Sequence, residues 1–128
     1  MNDAFKDLEE KAGLFKHNNY HVIEAIENEV IIRADITENS MNPYGMAHGG
    51  FIFGLGDTLM GMLAATVNKK ALTLNANISY LAPGTGKYLI AKGEIVKKGK
   101  TISLVRANIY NDQKKLISTM ESTYYYFE

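Results

Sequence analysis

The chain of 128 residues contains no cysteine. That excludes disulfides, thiolate metal sites and a cysteine nucleophile, and it removes any reason to invoke an oxidising compartment. Net charge is missing as well, because fourteen lysines and arginines balance fourteen aspartates and glutamates. With no basic stripe recurring along a helix period, nucleic acid is not an expected partner. His17, His21 and His48 lack the neighbouring carboxylates that metal sites usually add, so no bound metal is expected. A secretory leader is not expected either. The opening MNDAFKDLEEKAG reads as a short amphipathic helix with Phe5, Leu8 and Ala12 on one side, which leaves the cytoplasm as the expected compartment.

What is present is enough apolar material, 46% of the residues, for one real core, and the expectation is a single domain over residues 1–128. Residues 20–26 (YHVIEAI) and 29–36 (EVIIRADI) are β-rich runs separated by Glu27 and Asn28, which predicts a hairpin. The turn-rich TENSMNPYG follows, then an apolar helix over 49–67. Four more strand-like runs cover 71–82, 87–97, 101–111 and 115–127, joined by PGTG, KKGK and NDQKK. Strands linked by short turns pair antiparallel, and the one long apolar helix must lie against their sheet. The predicted class is α+β, a curved antiparallel sheet around a central helix.

The helix could be mistaken for a membrane span, and Gly50 with Gly54 even has the small-residue spacing of packed membrane helices. Asp57 argues against it, since an aspartate in mid-span costs about 2.5 to 3.5 kcal/mol. Gly54, Gly56 and Gly61 should each cost about 1 kcal/mol of helix stability relative to alanine, which close packing would offset. Packing does not account for Asp57, because a carboxylate on an apolar helix needs hydrogen-bond partners or must change its protonation. A structural aspartate and a general base or nucleophile both fit the helix alone.

The residues before Asp57 favour chemistry. Gly49 and Gly50 fall at the predicted helix start, where free backbone N–H groups and the helix dipole attract negative charge and the missing side chains admit a ligand. An oxyanion developing on a thioester carbonyl is such a charge. Yet Asp57 is seven residues beyond Gly50, roughly 10 Å along the axis at 1.5 Å per residue. One carbonyl cannot touch both within one chain, so a shared reaction requires a second subunit with its helix antiparallel, as a two-fold dimer provides.

Asn42-Pro-Tyr-Gly45-Met-Ala-His48-Gly49-Gly50 followed by Asp57, with the strand LTLNANISYLAPG and the hairpin VKKGKTISLV, resembles the phenylacetic-acid-degradation (PaaI-like) branch of the hotdog-fold acyl-CoA thioesterases. The resemblance implies a hotdog fold assembled as a homodimer or homotetramer, hydrolysing acyl-CoA at a subunit interface. In those terms the Gly49 N–H is the oxyanion donor, Asp57 activates water or attacks the thioester carbon, and Asn42 orients water or substrate. Thr73 would hold the lytic water near Asp57 of its own subunit, and Gly50 would sit against the substrate. His48 is read as a structural or substrate-positioning residue. Coenzyme A enters as part of the substrate and no cofactor is implied. Asn75 stands where relatives are often acidic, which bears on substrate preference. The hydratase branch of the fold places a histidine five residues after its aspartate; here Met62 stands there, which excludes dehydration chemistry. Lys97, Lys98 and Lys100 could meet the phosphates of coenzyme A, but a lysine-rich turn reads first as a solvated one. Tyr124 to Phe127 alternate faces on the last strand and read as core or subunit packing. The alternative function is an acyl-CoA sensor or carrier without catalysis.

Overall fold

The computed structural model describes residues 12–67 and 70–127. Phe5 and Leu8 of the expected opening helix lie outside those residues. The first described helix, α1, is Gly13–Asn18, ended by Asn19 in the left-handed conformation at φ 57°. β1 (Tyr20–Ile26) and β2 (Glu29–Asp35) form the expected hairpin, and the turn residue Asn28 takes φ 65°, a conformation asparagine tolerates well. A single 3-10 turn, Glu38–Ser40, leads toward α2 (Gly49–Ala65). Then come β3 (Lys70–Tyr80), β4 (Tyr88–Lys98), β5 (Ile102–Asn111) and β6 (Leu116–Phe127).

The six strands make one sheet in the order β1-β2-β4-β5-β6-β3, with every neighbouring pair antiparallel. Alternation decides which way each strand faces. On β2, Val30, Ile32 and Ala34 are buried while Glu29 and Arg33 are exposed; on β5, Val105, Ala107 and Ile109 are buried between Arg106 and Asn108. The buried set lines the concave face and meets α2. That helix buries Phe51, Ile52, Leu55, Leu59, Met60 and Leu63, an arc too wide for one flat partner, so the sheet has to curve around it. Each of the fully buried leucines contributes about 1.5–3 kcal/mol from burial. The result is a long helix wrapped by one antiparallel sheet, the hotdog arrangement. No helix among the described residues is long and apolar enough to cross a membrane.

The helix glycines make room for particular side chains. A Cβ at Gly54 would lie 2.8 Å from the Tyr20 hydroxyl, which donates to the Phe51 carbonyl at 2.8 Å. A Cβ at Gly56 would run into the Met120 sulfur. Gly61 differs: the Tyr124 ring passes it at an ordinary 3.5 Å, so an alanine would fit there.

The two edges of the sheet end in different surroundings. Beyond β1 the α1 helix packs with Phe15 edge-on to Tyr20, their rings 6.2 Å apart. Among the described residues no element pairs beyond β3, and Leu72 and Leu74 are each 58% exposed. A register shift between Thr73 and Asn75 marks a β-bulge at Leu74.

Candidate active site

Two groups of candidate site residues gather along α2, one at its start and one two turns along. The first is built from contiguous chain. Thr37 and Ser40 form a reciprocal capping box on the 3-10 turn. The Asn42 side-chain oxygen accepts from the backbone N–H groups of Tyr44 at 2.9 Å and Met46 at 3.1 Å, and Gly45 closes that loop at φ 80°, where only glycine is unstrained. The Ser40 carbonyl accepts the His48 N–H at 2.7 Å, which delivers His48 to the N-cap. There its Nδ1 accepts the Gly50 N–H at 2.8 Å. The Gly50 donor is therefore occupied. The Gly49 N–H forms no hydrogen bond among the described residues, and as the first residue of a helix it has no intrahelical acceptor.

Tyr80, at the end of β3, completes this group. Its hydroxyl donates to the Gly49 carbonyl at 2.7 Å, and partial burial pushes the phenol pKa up. A groove of about 440 Å³ opens here, lined by Asn42, Met46, Gly49, Ile52, Tyr80 and Leu81 among others. The sequence reading missed Tyr80. The β-period of LTLNANISY places it at the strand's end, but only the fold sets that end over the helix start.

The second group is made of side chains distant in sequence. Asp57, half-buried on α2, accepts through the same oxygen, Oδ1, from the Thr73 hydroxyl at 2.9 Å and from the Tyr124 hydroxyl at 2.6 Å. The Tyr124 hydroxyl also lies 2.8 Å from the Asp57 carbonyl oxygen. Burial, followed by the hydrogen bond to Asp57, pushes the Tyr124 phenol well above its usual range, so it remains protonated. Thr73 comes from the expected strand of the same chain. Tyr124 was expected to be packing alone, although its register partner across β3 and β6 is Thr73.

The other candidates lie elsewhere. Asn75 is exposed on β3, paired in register with Thr123. Lys97 and Lys98 end β4 and Lys100 follows in the hairpin, where Lys98 reaches Glu27 at 4.0 Å in an exposed pair worth little. His17 is on α1 and His21 on β1, so they share no helix face. Among the described residues no three His, Cys, Asp or Glu side chains gather as metal ligands would.

The chain then meets its relatives. The profile described as "Thioesterase superfamily" matches residues 44–118, more than half of the chain and the segment holding Gly49, Asp57 and Thr73. The chain belongs to the thioesterase superfamily. Among solved structures this thioesterase is similar to a hypothetical thioesterase of Streptococcus pneumoniae crystallised with coenzyme A. That pair is 28% identical with a TM-score of 0.80, covering 84% of this chain and 88% of the other. It is equally similar to the Streptococcus mutans protein smu.793 bound to acetyl-CoA, at 29% identity and a TM-score of 0.81, over 85% and 89% of the two chains. The Escherichia coli PaaI protein of the phenylacetic acid degradation operon shares the fold, with a TM-score of 0.89 at 21% identity over 94% and 88% of the chains.

Proposed function

We propose that this thioesterase hydrolyses acyl-CoA thioesters, with small, medium or aromatic acyl groups, at a site completed by two copies of the chain. The observation that carries the reading is the division of labour along α2. A free N–H stands at Gly49, a carboxylate held by two hydroxyls stands at Asp57, and the two are roughly 12 Å apart along the axis. β3 supplies the means of joining them. Among the described residues it is an uncovered edge strand with apolar side chains exposed, a ready template for pairing. It also carries Thr73 near one end and Tyr80 at the other. Antiparallel pairing of β3 with its copy about a two-fold axis exchanges those ends, setting Asp57 of one subunit toward Gly49 of the other.

In that site the Gly49 N–H, backed by the helix dipole, stabilises the oxyanion on the thioester carbonyl. Asp57 acts as base toward water or as nucleophile, and the coenzyme A thiolate leaves with little need of protonation. Asn42 spends its oxygen on the loop, so its amide nitrogen is the group that can orient water or substrate. His48 supports the site by capping the helix, and Gly50 by admitting substrate without a side chain. No cofactor takes part in this scheme; coenzyme A arrives with the acyl group. The relatives support the substrate class, since two of them were crystallised with coenzyme A or acetyl-CoA. The aspartate and threonine replaced by alanine in structures of the S. pneumoniae protein lie sixteen residues apart, the separation of Asp57 and Thr73.

The test is thiol release from a panel of aliphatic and aromatic acyl-CoAs by the wild type and Asp57→Asn, with molar mass measured alongside. Turnover that collapses in a folded variant still binding substrate, from a protein of dimeric mass or larger, is the expected result. Binding without turnover in both proteins would favour the sensor or carrier, and a monomer that hydrolyses normally would sink the shared site.

A further inference from the structure

We propose that Tyr124 is a positioning residue for Asp57: with Thr73 it saturates the carboxylate oxygen Oδ1, so that Oδ2 alone is left to act. The proposal rests on the thioesterase reading of Asp57 and adds a residue which that reading does not use.

The geometry carries it. Tyr124 is 1% exposed on β6 and stands 67 residues from Asp57 in sequence, so its hydroxyl is placed by the sheet and not by local chain. That hydroxyl has one proton and two nearby acceptors, both on Asp57. The carbonyl lies in mid-helix, where it accepts an intrahelical N–H. The 2.6 Å distance to Oδ1 is that of a charge-assisted bond from a hydroxyl to a carboxylate, which is where the proton goes. Thr73 donates to the same oxygen. Among the described residues no hydrogen bond reaches Oδ2 and no ion pair involves Asp57. The carboxyl group is thus held in one orientation by two hydroxyls instead of a cation.

Other charges face away. Arg33 and Asp35 of β2, Lys92 and Glu94 of β4, Arg106 of β5 and Glu121 of β6 alternate with inward-facing neighbours and so occupy the outer surface. His21 of β1 joins Asp35 there at 3.3 Å, and Lys70 of β3 shares the outward register of Leu72. Tyr124 is the titratable group that meets Asp57 from the sheet.

Tyr124→Phe removes the hydroxyl and keeps the ring beside Gly61. Two readouts separate positioning from packing: the split between kcat and KM on an acyl-CoA substrate, and the NMR chemical shift of the ¹³C-labelled Asp57 carboxyl at one fixed pH. The variant should lose about 10- to 100-fold in kcat, with KM within about twofold, because the carboxylate is no longer aimed. Losing a hydroxyl donor moves the Asp57 carboxyl resonance away from its wild-type position. A variant with lowered Tm but unchanged kcat and an unmoved Asp57 resonance would make Tyr124 a packing residue and overturn the proposal.

If Tyr124→Phe does not fold, 3-fluorotyrosine at position 124 keeps the shape and strengthens the donor. The Asp57 carboxyl resonance then moves from its wild-type position, and no movement overturns the proposal equally. The resonance is read without substrate. A wild type that hydrolyses no thioester would defeat the functional reading while leaving the control of Asp57 by Tyr124 to be decided on its own.

Discussion

The two ends of the working face of α2 are built in opposite ways. At its start the groups are backbone: the free N–H of Gly49, the capped N–H of Gly50 and the Gly49 carbonyl held by Tyr80. Two turns on, the groups are side chains, Asp57, Thr73 and Tyr124, brought from α2, β3 and β6. A backbone donor at a helix end is pre-oriented by the helix and needs no residue identity beyond the absence of a side chain. A carboxylate has free torsions, so its aim must be supplied by partners. In the proposed reaction the oxyanion side can therefore be carried by a local motif, whereas the base side depends on correct strand register across half the sheet.

If the two ends work only across a subunit boundary, inactivating them in different chains should be reversible by mixing. Asp57→Asn removes the proposed base and should cost about 10²–10⁴-fold in kcat. Gly49→Pro removes the proposed oxyanion donor at the first helical position, where proline's fixed φ is accepted, and should cost about 10²–10³-fold. Gly49→Ala is its control, retaining the N–H while adding a Cβ 3.2 Å from the Tyr80 hydroxyl. Co-refolding the two inactive variants in equal amounts yields heterodimers with one site broken twice and the other intact. Recovery to about a quarter of wild-type turnover is expected for a two-fold dimer with shared sites. If both ends served one site within a chain, every site in the mixture would keep a defect and nothing would recover.

The same contrast explains what could be read before folding. Residues 40–50 encode their structure locally: Asn42 binds its own loop, Gly45 turns it, and His48 caps the helix that Gly49 opens. Strand limits were legible for a related reason, since alternation and turn residues are local, and the ends of all six strands fall within about two residues of expectation. The helix stops at Ala65 because the Thr66 hydroxyl and N–H both turn back to the Leu63 carbonyl, at 2.7 and 3.2 Å. Tyr124 was not legible. Its approach to Asp57 depends on pairing β6 with β3 in a register that shifts at Leu74, and no neighbouring residue announces that shift.

A smaller effect follows from the exposed β3 edge. Leu72→Lys places a charge on the unpaired border, a device that blocks strand addition. It should leave the monomer folded, because Leu72 is 58% exposed, while making activity depend on protein concentration. Sedimentation velocity measured with the assay would show both changes together; dimers that persist with full activity would move the subunit contact away from β3.

The smallest effect separates the cap from the chemistry at the helix start. His48 accepts the Gly50 N–H only through a bare Nδ1, so the imidazole ring serves there as an acceptor, a role that asparagine fills at many N-caps. His48→Ala should therefore lose about 1 kcal/mol of stability in urea unfolding, and His48→Asn should keep most of it. If capping is the whole contribution, both variants retain kcat at temperatures where both are folded, because the Gly49 N–H is untouched. A fall in kcat shared by the stable asparagine variant would instead assign the imidazole a part in placing the substrate.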